Sequence, residues 1–359
     1  MPKTKETLCI RANQLKLLER LCNASGVSGD EGQVRAIVLE QVRPAVDEVK
    51  VDALGNVLAT KRGTSGGDRR PRVMLAAHMD EVGFMLTNDE GDGIYRFETV
   101  GGVDVRQLAG KAVHVGKEHY VGVIGAKPIH LTEKGETEST IPLDTLRIDL
   151  GLEGKKAKIG DRATFATPFA RIGPSLRAKA LDNRLGVATL IELVKNAPPN
   201  IDILAAFTVQ EENGLRGARV AAFAFDPDLA IVLDATPAYD LPNWDDAQNT
   251  QYNTRLGEGP AIYIADSGTL SDPRLIRLVT ETAEAQGIPF QIRQPGGGGT
   301  DAGAIHRQRA GIPSVSVSVP HRYSHTAVSI ARLADWENTL KLVHAALGRI
   351  TPSILASDR

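Results

Sequence analysis

DILAAFTVQEENGLRG, Asp202 to Gly217, is the stretch that decides how this chain is read. Its first half, through Val209, is an apolar run of the kind that forms a strand buried on both faces. Its second half opens GLRGARVAAFAF, which carries helical spacing. Between them stand Glu211 and Glu212. Two adjacent carboxylates at the end of a buried strand need a partner, because burial and mutual repulsion both disfavour their ionised forms.

The same arrangement recurs on either side. RVMLAA reads as a strand ending in His78-Met79-Asp80, and LAIVLD as one ending in Asp234. The strand PSVSVSV leads to His321 and His325. In LRAKALDNRLG, Asp182 stands where an extended segment turns into the helix DNRLGVATLIELVKN. Further helices are expected over 12–24, from a capping box at Ser28 and Glu31 to about Val42, from SDP at Ser271 to Gln286, and over Arg332 to Leu347. EVKVD, NVLAT and AIYIA read as shorter strands, and KRGTSGGDRR as a polar loop. From about Gly83 to Arg171 the texture changes to short β-like runs, among them GFMLT, IYRFET, KAVHV, YVGVIGA and DRATFA. The expected fold is therefore α/β, a mixed central sheet flanked by helices (residues 1–82 and 173–359), with a small β-barrel-like module inserted at 83–172.

Composition narrows the function. The 359 residues are 42% hydrophobic and 24% charged, with a formal net charge of −2. Acids and bases are mixed along the chain, so neither a nucleic-acid surface nor a polybasic membrane anchor is expected. The start, MPKTKETLCIRANQLK, lacks a signal-peptide core, and the only cysteines are Cys9 and Cys22. Both features point to the cytoplasm.

Ligands in open α/β sheets bind beyond the carboxyl ends of the strands. Five segments deliver Asp, Glu or His to that edge. Singly, each has a plain structural reading: an Asp as turn former, a His as packed core, a Glu pair as the first turn of a helix. Jointly, the carboxylates would repel one another, and these segments hold no Lys or Arg cluster to neutralise them. Divalent cations would. The nitrogen and oxygen donors, with no thiolate, favour zinc, cobalt or manganese in a catalytic role. Their number suits two divalent metal ions per subunit sharing one Asp, with one Glu left over for proton transfer in hydrolysis.

GVSGDEGQVR, DALGNVLA, AAHMDEVGF, GVIGAKPIHL, ALDNRLG, TVQEENGLRG, VLDATP and GGGGTDAGAIHRQRAGIPSVSVSVPHRYSH occur in that order. Together they resemble the glutamyl/deblocking aminopeptidases, metallopeptidases that remove N-terminal residues from short peptides. The resemblance runs from about Ala12 to Leu347. It implies a zinc-aminopeptidase-like core, with His78, Asp182 and Asp234 on one metal. Asp182, Glu212 and His325 would hold the other, and Asp182 would bridge. It implies Glu211 as general base and Asp80 as the residue orienting His78. It also implies dimer contacts through the inserted module and a homo-oligomer, a dodecamer built from dimers. His321 is an addition to that pattern and is read as a polar neighbour. GGGGTDAG lacks a phosphate-loop ending, so it reads as a bare wall by the site, with Asp301 as helix cap or loop anchor.

Other readings stay open. A deacylase or carboxypeptidase could use the same metal shell. Relatives have been labelled cellulases, but adjacent Glu211 and Glu212 could not flank a sugar ring, and the histidines would go unused. Side-chain preference is not legible. Arg293 and Arg255 could face an acidic side chain, though surface positions are the expectation for both.

Overall fold

The computed structural model describes residues 8–65, 70–152, 156–243, 249–250, 253–294 and 297–356. The start of the chain, part of the polar loop after Lys61 and the first glycine of the glycine run lie outside these residues.

Two helices open the fold, α1 (Ala12–Asn23) and α2 (Gly32–Val42). Strands β1 (Glu48–Val51), β2 (Val57–Lys61) and β3 (Arg72–His78) follow. A six-strand unit comes next: β4 (Gly83–Gly91), β5 (Ile94–Val100), β6 (Ala112–Val115), β7 (Tyr120–Gly125), β8 (Arg147–Asp149) and β9 (Arg162–Phe165). The chain then returns through β10 (Ala170–Ile172), β11 (Ser175–Ala178), α3 (Leu181–Lys195), β12 (Asp202–Thr208), α4 (Arg216–Phe225) and β13 (Leu229–Pro237). It ends with β14 (Ala261–Ile262), α5 (Pro273–Gln286), β15 (Gln291–Ile292), α6 (Ala302–Ile305), β16 (Ser314–Arg322), β17 (Ser329–Arg332) and α7 (Leu333–Arg349).

The main sheet runs β1-β2-β12-β3-β13-β16-β17-β11-β10, with β14 against β16 and β15 against β14. The inner pairs β12–β3, β3–β13 and β13–β16 are parallel and the flanks antiparallel, so the sheet is mixed. Alternation along β3 shows why the middle strands read as unbroken apolar runs. Val73, Leu75 and Ala77 enter the core shared with α1, α2, α3, α5 and α7. Met74 and Ala76 enter a second core under α4 and α6. A strand covered on both faces has no polar side to show.

Strands β4-β5-β8-β7-β6-β9 close into a barrel with its own core. Phe84 sits at its centre, edge to face with Phe97 and with Phe165, each at 5.2 Å. The barrel ends at Phe165, whereas β10 belongs to the large sheet.

Three expectations need correction. Ser28 does not cap α2: the N-cap is Glu31, without a side-chain cap bond, and Glu31 Oε1 accepts from the Gly29 amide instead. Asp301, expected as helix cap or loop anchor, stands at the N-cap position of α6 without a side-chain cap bond, and its Oδ2 accepts from Thr208 Oγ1 at 2.5 Å, so only the anchoring role agrees with the structure. Asp234 and His321 lie inside β13 and β16 rather than after them, because those strands pair as far as Pro237 and His321. Short partners that no local pattern announces, β8 and β17, were missed in the sequence.

Candidate metal centre

The parallel strands deliver their ends to one edge. β3 finishes on His78, and β12 runs into the Glu211-Glu212 turn. β13 carries Asp234, and the turn after β16 carries His325, at φ +57°. α3 supplies Asp182 from its first turn, where Asp182 is held outside helical geometry and joined to Asn183 by a cis peptide bond. Asn183 fixes this corner: its Nδ2 donates to the Leu233 carbonyl at 2.8 Å, and its Oδ1 accepts from the Gly186 amide at 2.9 Å. Residue 186 must be glycine, since a Cβ there would come 2.2 Å from Asn183 Oδ1 and 2.7 Å from the Leu233 oxygen.

Asp182 faces two histidines with two different oxygens. Its Oδ1 is 3.2 Å from His78 Nε2, and its Oδ2 is 3.6 Å from His325 Nε2. Asp234 Oδ1 lies 3.4 Å from His78 Nε2, and Glu212 Oε2 lies 3.4 Å from His325 Nε2. Two triads result, His78-Asp182-Asp234 and Asp182-Glu212-His325, each with ligand atoms within 4.8 Å of one another. Glu211 lines the same pocket and belongs to neither triad.

The outer contacts answer the question raised by the acid pair. Asp80 is fully buried. Its Oδ1 accepts from the Glu211 amide at 3.0 Å, and its Oδ2 from the Glu212 amide at 3.1 Å and from Ser28 Oγ at 2.6 Å. One carboxylate thus pins the backbone of the whole turn. The same residue approaches His78 Nδ1, with its backbone oxygen at 3.2 Å and its Oδ1 at 3.6 Å. His325 Nδ1 lies 2.8 Å from the Gly102 carbonyl oxygen, beyond β5 at the barrel's edge. A carbonyl only accepts, so Nδ1 carries the proton and Nε2 is left for the carboxylates. The barrel therefore helps to aim a site residue. Sequence reading found neither Gly102 nor the bond from Ser28, whose hydroxyl had a ready local explanation as a cap.

The electrostatics are those of a site short of positive charge. Among the described residues, no Lys or Arg forms an ion pair with Asp80, Asp182, Glu211, Glu212 or Asp234. Burial, with the nearby charges of Asp234 and Glu212 and against the pull of His78, holds Glu211 well above the usual carboxyl range. Burial and Asp182 push Glu212 up to about 8, and burial pushes Asp301 up to about 7. Burial would pull His325 down, but Asp182 and Glu212 outweigh it and raise it to about 9. Burial would likewise lower His78, yet Glu211, Asp182 and Asp234 hold it well above its ordinary value. His321 is buried, held below its ordinary value by that burial, and neither ring nitrogen has a hydrogen-bond partner.

The pocket over this cluster has a volume of about 750 Å³. Its far wall includes Tyr263, Ser267, Arg293 and glycines 297–299. Arg293 is only 5% exposed, contrary to the surface placement expected for it. Arg255 is engaged elsewhere, with Asn249 and Glu258.

The family model described as M42 glutamyl aminopeptidase matches residues 55–342. The chain belongs to that family. It is 34% identical over 350 residues to a lysyl aminopeptidase of Pyrococcus furiosus, covering 94% of this chain and 97% of that one. It superposes with TM-score 0.89 on an aminopeptidase from the archaeon Desulfurococcus kamchatkensis, at 33% identity over 96% of each chain. The TM-score is 0.81 against the Pyrococcus horikoshii TET1 peptidase, at 32% identity over 94% of this chain and 100% of that one. That peptidase is described as assembling into a tetrahedron or a large octahedral shell. Among the described residues no helix is long and apolar enough to cross a membrane.

Proposed function

We propose that this chain is a dinuclear metal-dependent aminopeptidase acting on short peptides in the cytoplasm. Asp182 carries the reading, because it turns one carboxylate oxygen to each of two histidines and so joins two ligand sets. The residues fit divalent cations. Their donors are nitrogen and oxygen, the carboxylates lack basic partners, and burial with repulsion already resists ionisation of Glu211, Glu212 and Asp234. His78, Asp182 and Asp234 would hold one ion, and Asp182, Glu212 and His325 the other.

Two such cations, when bound, supply Lewis acidity at a peptide carbonyl and make water acidic enough to lose a proton near neutral pH. Glu211 is the residue placed to move that proton. It lines the pocket, stays outside both ligand sets, and its burial suits a group that must take a proton and release it to the departing amine. Asp80 positions both the Glu211-Glu212 turn and the His78 ring. Residues 83–165 would form a separate barrel unit serving dimer contacts, and exposed Val121, Ile129 and Leu131 suit such a surface. A closed shell like that of the P. horikoshii peptidase is the assembly in keeping with this.

A rate profile over aminoacyl-p-nitroanilides tests the reading, run on chelated protein and again after adding zinc, cobalt or manganese. We expect activity only with metal, and only on substrates with a free amine. Turnover that survives chelation, or equal turnover of N-acetylated peptides, contradicts the assignment.

A further inference from the structure

We propose that the barrel is part of the frame of the metal centre: Thr164 on β9, acting through Glu81 and Arg184, fixes the orientation of the His78 ring. This rests on the metal-centre reading and goes beyond the dimer contacts expected of the barrel.

Glu81 is buried and borders a small recess together with Asp182, Glu212 and His325. Its Oε1 accepts from Lys179 Nζ at 2.7 Å, from Arg184 Nη2 at 3.0 Å and from the Gly26 amide at 3.0 Å. Its Oε2 accepts from Lys179 Nζ at 2.8 Å and from Thr164 Oγ1 at 2.9 Å. Lys179, Arg184 and Thr164 are buried as well. Two cations therefore share one carboxylate out of reach of water. Buried ionic groups are poor sources of stability, because their desolvation offsets their attraction. What this one supplies is direction, since a guanidinium gripped on one side presents fixed donors on the other.

Arg184 aims those donors at the segment that carries His78. Its Nη1 donates to the Met79 carbonyl and, at 3.3 Å, to the Asp80 carbonyl. The same Asp80 oxygen lies 3.2 Å from His78 Nδ1. A carbonyl only accepts, so the bond requires the His78 proton on Nδ1 and leaves Nε2 for metal. Arg184 Nε donates to the Leu21 carbonyl at 3.0 Å, so α1 braces the guanidinium. A continuous line thus runs from Thr164 through Glu81, Arg184 and the Asp80 carbonyl to His78. Arg184 also stands two residues after Asp182 on α3, so one side chain ties together two ligand-bearing corners.

Alternation along β9 explains why the barrel can reach this line. Ala163 and Phe165 enter the barrel core, which turns Arg162 and Thr164 outward. Arg162 Nε donates to the Ser28 carbonyl at 3.3 Å, and Ser28 Oγ bonds Asp80. Both outward side chains of β9 therefore end on the backing of the same histidine.

The test uses full-length Thr164→Val, which keeps the shape of the side chain and removes its donor. It is preferred to Glu81→Gln, which would leave Lys179 and Arg184 buried without a counter-ion. Chelated protein is titrated with cobalt, whose visible absorption reports the arrangement of its ligands, and kcat is measured after loading. The wild-type protein should take up two ions per chain. Thr164→Val should bind one of them on the order of 10-fold more weakly, with an altered absorption band and a similar loss of kcat. Thr164→Ser, which keeps the hydroxyl, should stay near wild type. Ile148→Ala trims the barrel core on β8, which does not pair with β9, and should lower Tm without moving the cobalt spectrum. The proposal is overturned, and the metal reading stands, if Thr164→Val keeps wild-type affinity, absorption and kcat. The same holds if Thr164→Ser is equally impaired, or if Ile148→Ala shifts the spectrum as far. A wild-type protein that takes up no cobalt would overturn both.

Discussion

Asp80 does the most for the site while touching no substrate in this account. It is buried and accepts three hydrogen bonds, two from the amides of Glu211 and Glu212 and one from Ser28. Against burial, the nearby His78, with the bonds from Ser28 and the Glu211 amide, holds its carboxyl below the usual range. Removing one donor leaves part of a buried charge unsatisfied. Ser28→Ala should therefore destabilise the protein by about 1–3 kcal/mol. It should also lower kcat about 10- to 100-fold, as is typical of losing an outer partner at a metal site. Urea denaturation and steady-state rates check both, and an unchanged kcat would mean that Ser28 only stabilises the loop. His78, Asp182, Glu211, Glu212, Asp234 and His325 could be picked out as candidates in the sequence because they stand at or near the ends of apolar runs or, for Asp182, at the start of a helix, and the fold brings them to one pocket. Ser28 and Gly102 could not, because a serine before a helix has a local explanation and a backbone carbonyl leaves no mark in a sequence.

At the level of elements, the long apolar runs were readable because both faces of β3, β12, β13 and β16 are covered. Short strands such as β8 and β17 depend on partners distant in the chain, and no local period reveals them. The corner between α3 and β13 is set by Asn183 and by the missing side chain at Gly186. The added methyl of Gly186→Ala would meet the Asn183 amide and the Leu233 carbonyl. We expect a loss of about 1–3 kcal/mol, as for other overpacked cores, with Asp182 displaced and activity falling further than stability. A neutral result in urea denaturation would show that the helix can shift away from the sheet at little cost.

For the molecule as a whole, the unneutralised acid cluster has a thermodynamic signature. Glu212 at about 8 and Asp301 at about 7 sit above ordinary carboxyl groups, which titrate near 4. Between those values the folded chain holds protons that the unfolded chain has released, so stability of the metal-free protein falls as pH rises. His325, raised to about 9, acts in the same direction from its ordinary range upward. Cations occupying the triads would replace the protons on Glu212 and His325. The Tm of chelated protein should therefore decline from about pH 5 to pH 8 while that of metal-loaded protein changes less, so that the gap widens. A gap that stays constant with pH would separate metal binding from these carboxylates. The barrel itself was legible from the change in strand length and turn density, whereas β10, inside the expected 83–172 module, pairs in the large sheet. The barrel's reach into the site through Gly102 was visible only in three dimensions.

The central claim is that adjacent glutamates have different work, Glu212 holding metal and Glu211 moving protons. Metal content and turnover of Glu211→Gln, measured on the same preparation, test it most directly. The account predicts that two divalent ions per chain remain while kcat falls by about two to four orders of magnitude. Loss of an ion from that variant, or turnover near the wild-type rate, would contradict it.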